Sequence, residues 1–313
     1  MPLRSIDRLR RSFLTASIFA LVACSSPGGN EGVTPPPMQP SSVSRIQFGT
    51  SPKGLLYISD SGTNEVETFA WPRPKTGSAL GGSFSEPQGE CADQSSDVFI
   101  TNTGDSNVLE YNDRKLTNTL LDKGQYPVGC SFNALDGDLA VSNIISTQDG
   151  AGSVSIYKEA AGVPKNIAVT GMQRVYFLQY DGSGDLFAIG EDSSYQPVLA
   201  EMKSGSNKIK VICPGLLGEG NIEFPGGIGW DGKYLIFDVG TGVDRIENCK
   251  VVGFTRLLGP SGAYILGRQL IAMSSNEIAV YKYPKGGFPI RTFSLSNLSE
   301  PIGFAISEDA KGK

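Results

Sequence analysis

The chain of 313 residues carries 27 Lys and Arg against 32 Asp and Glu, a formal charge of −5, and has no histidine. Without histidine there is no Ser-His-Asp or Cys-His catalysis and no His-ligated zinc, copper or iron, so any chemistry rests on carboxylates, Lys, Tyr, a thiol or an oxygen-ligated metal. Apolar content of 39% with 19% charge fits a soluble chain of one large or two average domains, and with no basic cluster beyond the first eleven residues a nucleic-acid partner is not expected.

Residues 1–23 read as a secretion signal. Arg4, Arg8, Arg10 and Arg11 precede the apolar run Phe13 to Ala23, which is shorter than the roughly 20 residues a membrane span needs. The junction Leu21-Val22-Ala23-Cys24 resembles the bacterial lipobox, in which the signal is cut just before a cysteine that is acylated on its thiol. An ordinary signal peptide ending near a cysteine is the alternative. Acyl chains contribute about 0.8 kcal/mol per buried methylene, so a lipidated Cys24 would anchor the chain to a membrane without spanning it. By the same resemblance, Ser25 in place of Asp favours the outer membrane of the cell envelope, or the cell surface where there is none. Residues 24–42 are Ser, Pro and Gly with almost no apolar content and are expected to be a disordered tether.

Residues 43–313 carry a phrase that recurs about every 40 residues, the mark of stacked supersecondary units. Pro-x-Gly opens each copy, followed by a short apolar strand, a turn, a β-branched strand ending in Asp or Asn, and a third strand. The phrase reads as Pro87-Gln88-Gly89 before DVFITNTGDSNVLEY and as Pro127-Val128-Gly129 before GDLAVSNIISTQDGAGSVSIY, with further copies in GDLFAIGED, KYLIFDVGTG and QLIAMSSNEIAVY. RIQFGT, LLYISD, EVETFAW and EIAVY are other short alternating segments, and no stretch keeps a helical period. Evenly spaced short strands in a repeat predict an all-β, six-bladed β-propeller; a β-sandwich has no reason to repeat its own sequence. Second strands centre on Tyr57, Phe99, Ala140, Phe187, Leu235 and Ile271. The final opening at Pro301 has no second strand after it, which predicts closure of the ring by the C-terminal strand; seven blades is the alternative, with RIQFGT as an extra first strand.

The Pro-x-Gly opening, the Gly-x-Leu-x-Val-Ser-Asn middle and the Asn-x-Val-x-x-Tyr ending resemble the NHL-repeat group of six-bladed propellers, neighbours of gluconolactonase-like and strictosidine-synthase-like propellers. The likeness covers most of residues 44–307, with departures near Gln173 and Gly267. Gluconolactonase-like enzymes hold a metal with a Glu, Asn residues and an Asp. By that resemblance Glu86 or Glu300 with Asn102, Asn143 and Asp238 would form an oxygen set for calcium or a sugar-like substrate. The repeated residues Asp60, Asn102, Asn143 and Asp238 also suit a backbone role in the turn that follows each second strand, and their recurrence favours it. Asp181-Gly182-Ser183-Gly184-Asp185 looks like the start of a calcium loop but has Leu186 where an EF-hand needs Gly, so a hairpin turn is expected.

Loops between blades converge on the central opening and bring Glu86, Glu90, Tyr126, Gln173, Arg174, Glu219, Glu223 and Glu300 there. Cys91 lies four residues past Pro87 and Cys130 three past Pro127, so strand alternation turns the two thiols toward each other between neighbouring blades. Cys213 and Cys249 then remain to pair, with four free thiols as the alternative. The expected function is a monomeric binding or scaffolding module, tethered to the envelope and facing a protein, peptide or glycan, with no catalytic residue and no cofactor beyond calcium. The alternative is a lactonase- or lyase-type enzyme with an oxygen-ligated metal in the central funnel; lyase propellers that depend on His are disfavoured. Distinctive chemistry is expected where copies differ, in the loops Ile144 to Ser153 and Gly215 to Gly227.

Overall fold

A computed structural model describes residues 53–308 apart from 148–149, 216–221, 223–225, 260–261, 267, 275 and 297. Cys24, the tether, RIQFGT, Glu219 and Glu223 lie outside the described residues.

The chain runs up and down through antiparallel strands that collect into sheets. The first strands are β1 (Gly54–Asp60), β2 (Glu65–Trp71) and β3 (Ser78–Ala79). The second sheet follows in order as β4 (Pro87–Ala92), β5 (Asp97–Asn102), β6 (Asn107–Asn112) and β7 (Lys115–Leu121). The third is β8 (Gln125–Phe132), β9 (Leu139–Ser146), β10 (Ser153–Tyr157) and β11 (Lys165–Thr170). The fourth is β12 (Arg174–Tyr180), β13 (Leu186–Glu191), β14 (Pro197–Met202) and β15 (Ile209–Pro214). The fifth is β16 (Ile228–Trp230), β17 (Leu235–Asp238), β18 (Gly242–Glu247) and β19 (Lys250–Arg256). The sixth is β20 (Gly262–Leu266), β21 (Gln269–Ser274), β22 (Glu277–Lys282) and β23 (Arg291–Ser294). The last strand, β24 (Pro301–Glu308), returns to pair with β1, Leu56 opposite Ile306, and completes the first blade as β24-β1-β2-β3. Among the described residues the strands thus make six four-stranded units, in the all-β propeller arrangement that the repeat predicts. The outer strands β11 and β15 of blades 3 and 4 also pair in parallel, Val169 opposite Ile209, which joins those two blades along their rims.

Second strands read as unbroken apolar runs because both of their faces are covered. β5 is buried from Val98 to Asn102 and β9 from Leu139 to Ile144, whereas the outer strand β7 buries only Leu120. Apolar layers lie between neighbouring blades all the way round. Val98, Ile100 and Tyr111 of blade 2 meet Tyr57 and Val66 of blade 1, and Leu139 and Val141 of blade 3 meet Phe99 and Val108 of blade 2. Ile271, Met273, Ile278 and Val280 of blade 6 meet Leu56, Ile58, Phe69 and Trp71 of blade 1, so the first and last blades share a core.

Two residues of the repeat owe their recurrence to these layers. A Cβ on Gly89 would stand 2.5 Å from the Val128 carbonyl oxygen, and one on Gly303 would stand 2.2 Å from that of Gln88. The glycine of Pro-x-Gly is therefore where one innermost strand passes close to the next. The tyrosine that ends the third strand is fully buried as Tyr111, Tyr157 and Tyr281, and Tyr111 donates its hydroxyl to the Gly81 carbonyl of the preceding blade at 2.9 Å.

Candidate binding site at the axial rim

The innermost strands β24, β4, β8, β12, β16 and β20 surround an axial cavity of about 100 Å³, bordered largely by backbone at Gly89, Gly129, Gly227, Gly262 and Gly303. Sites for drug-sized ligands start at about 300 Å³, so a ligand of that size would rest on the rim and not in the channel. Glu90 borders this cavity, but alternation turns its side chain back toward blade 1 while Gly89 and Cys91 face blade 3. Its Oε1 accepts from Ser59 Oγ at 2.5 Å, and its Oε2 is buried with no side-chain partner among the described residues. Burial pushes this carboxyl up to about 8, against the pull of the Ser59 and Ala305 hydrogen bonds.

The residues expected to form an oxygen ring are mostly engaged by their own blades. Asp60 Oδ1 accepts from the amides of Gly62 (3.1 Å) and Glu300 (2.9 Å), and its Oδ2 accepts from Ser299 at 2.5 Å, so it fastens the loop leading into β24. Asn102 Oδ1 does the same for the loop leading into β4, accepting from the Ser85 amide at 2.6 Å, while Nδ2 donates to Asp105 and Asn107. Asp238 Oδ1 accepts from Gly240 N at 2.7 Å. Glu86 is exposed at positive φ with its amide on Asn64 Oδ1, and Glu300 is exposed with its carbonyl accepting from Ser61. Asp181 Oδ1 accepts from the amides of Ser183 (2.8 Å) and Asp185 (2.9 Å), closing the hairpin turn read from the sequence. Among the described residues no group of three or more Asp, Glu or Cys stands close enough to hold a metal ion.

Asn143 belongs to a different arrangement. Its Nδ2 donates to Ser153 Oγ (3.1 Å) and Ser155 Oγ (2.8 Å), which in turn donate to Gln125 Oε1 (2.9 Å) and Asp122 Oδ1 (2.8 Å). Among the described residues Asp122 Oδ2 and Asn143 Oδ1 are buried without partners, and burial raises the Asp122 carboxyl to about 6 against the Ser155 and Asn143 hydrogen bonds. The network sits inside blade 3, on the loop Asp122 to Gln125, which chain order alone could not place under Asn143.

Blade 4 breaks the repeated pattern. In blades 1, 2 and 3 the register sets Asp60, Asn102 and Asn143 opposite Pro301, Pro87 and Pro127, but in blade 4 it sets Glu191 opposite Arg174. Glu191 Oε2 accepts from Tyr176 OH at 3.0 Å and lies 3.5 Å from Arg174 Nη1, and the Arg174 guanidinium stacks 5.1 Å over the ring of Tyr195. Burial pushes the Tyr176 phenol up to about 12, against the Arg174 hydrogen bond. Nε and Nη2 of Arg174 make no hydrogen bond among the described residues, and Tyr195 is 62% exposed. Beside this cluster Val128, Ile144 and Tyr176 form an apolar floor, with Tyr126, Ile145, Phe177 and Ile222 packed against it. The floor joins blades 3 and 4 to the segment that leads into blade 5. The sequence points here through the missing Pro near Gln173 and through the rim residues Tyr126, Gln173 and Arg174; Glu191, Tyr176 and Tyr195 carry no signal of their own in it.

Two disulfides cross between blades. Cys91 of β4 bonds Cys130 of β8, with Cα atoms 5.6 Å apart, and Cys213 of β15 bonds Cys249 in the turn between β18 and β19, with Cα atoms 5.4 Å apart.

No family model and no curated protein matches the sequence. Solved structures resemble the chain, two of them as follows. A protein of unknown function from Bacteroides caccae superposes with a TM-score of 0.58 at 10% identity, over 82% of this chain and 99% of that one. TolB from Acinetobacter baumannii superposes with a TM-score of 0.57 at 10% identity, over 82% of this chain and 67% of that one. At this identity the likeness concerns the fold, and the fold is a β-propeller.

Proposed function

We propose that this protein is a binding propeller of six blades, carried at the bacterial cell envelope on a lipid attached to Cys24, and that it takes a protein or peptide segment at the rim of blades 3 to 5. The observation that carries the binding site is the replacement of the shared Pro and Asp/Asn pair by Arg174 and Glu191 beside an apolar floor. A guanidinium whose Nε and Nη2 make no hydrogen bond among the described residues, stacked on an exposed tyrosine, suits a carboxylate next to an apolar side chain. The axial cavity is too narrow to serve instead, and among the described residues Asn102, Asn143 and Asp238 are held by their own blades, which leaves a lactonase- or lyase-type metal site without its ligand set. The Pro-x-Gly glycines Gly303, Gly89 and Gly129, each set against the next innermost strand, support kinship with NHL-repeat-like propellers.

Selection of displayed random peptides on residues 41–313, with counter-selection on the double variant Arg174→Ala, Tyr195→Ala, tests the site. Peptides that combine an acidic and an apolar residue and prefer the parent protein are expected; equal enrichment on both proteins would remove the site. Metabolic labelling with palmitate tests the anchor. Label is expected on the parent and lost in Cys24→Ser, and equal labelling of the two would dismiss it.

A further inference from the structure

We propose that the outer face of blades 5 and 6 is a docking surface for an anionic lipid bilayer. Residues 248–299 hold six cations (Lys250, Arg256, Arg268, Lys282, Lys285, Arg291) and one acid (Glu277), a net charge of +5, while the other 21 cations and 31 acids of the chain give −10. Lys250, Arg256, Lys282 and Lys285 are all exposed, and none of them is in an ion pair among the described residues. Apolar side chains share this face. Along β19 and just beyond it Val252, Phe254 and Leu258 are exposed, while Thr255 and Leu257 turn inward.

The connection from β22 to β23 is tied against the end of that strand: Gly287 N donates to the Arg256 carbonyl at 2.8 Å, and Leu258 N donates to the Gly287 carbonyl at 3.0 Å. Phe288 follows directly and is 79% exposed, with Ile290 at 46%. A phenyl ring held out on a Gly-Gly-Phe-Pro tip between Lys285 and Arg291 has the two elements of interfacial binding: an apolar wedge for the headgroup–acyl boundary and cations for anionic headgroups. Each such cation contributes about 1 kcal/mol near an anionic surface. A second copy fits the strand poorly, since antiparallel pairing of β19 with itself about Gly253 would set Lys250 opposite Arg256.

The test uses residues 41–313, which contain every strand of the ring and omit Cys24, so its outcome is independent of the lipid anchor. Flotation with vesicles of phosphatidylcholine alone is compared with flotation on vesicles that also contain phosphatidylglycerol. Binding to the anionic vesicles only is expected, falling roughly tenfold in Phe288→Ser and in Lys282→Gln, Lys285→Gln, and weakening as salt rises. Both variants alter exposed side chains, and an unchanged melting temperature confirms that they fold. Equal flotation on both vesicle types, no flotation, or variants that float like the parent would overturn the proposal. So would retention on polyglutamate beads without flotation, which assigns the face to acidic proteins.

Discussion

Burial between blades 1 and 2 raises the Glu90 carboxyl to about 8, because ionisation there would set a charge out of water that the Ser59 and Ala305 hydrogen bonds offset only in part. In the unfolded chain the same carboxyl titrates near its ordinary 4.5. Between these values the folded protein holds a proton that the unfolded chain has lost, so stability is greatest below the lower value and falls as pH rises through the window. Asp122, raised to about 6, acts in the same direction over a lower and narrower range. Glu90→Gln keeps the shape and the Ser59 contact but cannot ionise. It is expected to gain on the order of 3 kcal/mol at pH 7 to 8 and to flatten the fall in unfolding free energy above pH 6. Denaturant unfolding across pH checks this, and a variant that is less stable than the parent at pH 8 would contradict it.

At the scale of the element, the glycine of the opening phrase does its work between strands and not within one. Gly303→Ala sets a methyl group into the Gln88 carbonyl at the boundary of blades 1 and 2, and an overpacked contact of this kind costs about 1–3 kcal/mol. A lower urea midpoint with an unchanged slope is the expected result. This part of the structure was legible in the sequence: period, strand alternation and the Pro-x-Gly opening all follow from what one blade must present to the next. The recurrence of Asp60, Asn102 and Asp238 was legible too: Asp60 and Asp238 accept from Gly62 and Gly240 in the turn that follows, whereas Asn102 accepts from the Ser85 amide in the loop before β4, a partner its position in the repeat does not indicate. The blade 4 cluster was legible only as a gap. Arg174 and Glu191 are 17 residues apart and meet because strand register sets them opposite each other, and register is not written in either residue. The Asp122 network was hidden for the same reason, since Ser155 reaches Asp122 across 33 residues.

For the molecule as a whole, closure depends on eight residues. β24 supplies the innermost strand of the first blade and, through Gly303, the contact with the second. Deleting residues 301–313 would leave β1 with an unpaired edge along its whole length and uncover the core beneath it. The truncated protein is expected to lose cooperative thermal unfolding and to self-associate on size exclusion; a monomer with a sharp transition would contradict closure by β24. The disulfide between Cys91 and Cys130 joins innermost strands on the far side of blade 2. It closes a sequence separation of 39 residues, which in the chain-entropy account contributes about 4 kcal/mol.

The division between repeated residues that hold blades and unrepeated residues that meet a partner is tested most directly by the affinity of one selected peptide for two single variants. Asn102→Ala is expected to lower the melting temperature and leave the dissociation constant unchanged, while Arg174→Ala leaves the melting temperature near that of the parent and weakens binding at least about tenfold. Weaker binding in Asn102→Ala together with unaltered binding in Arg174→Ala would place the site on the repeated ring and contradict the account.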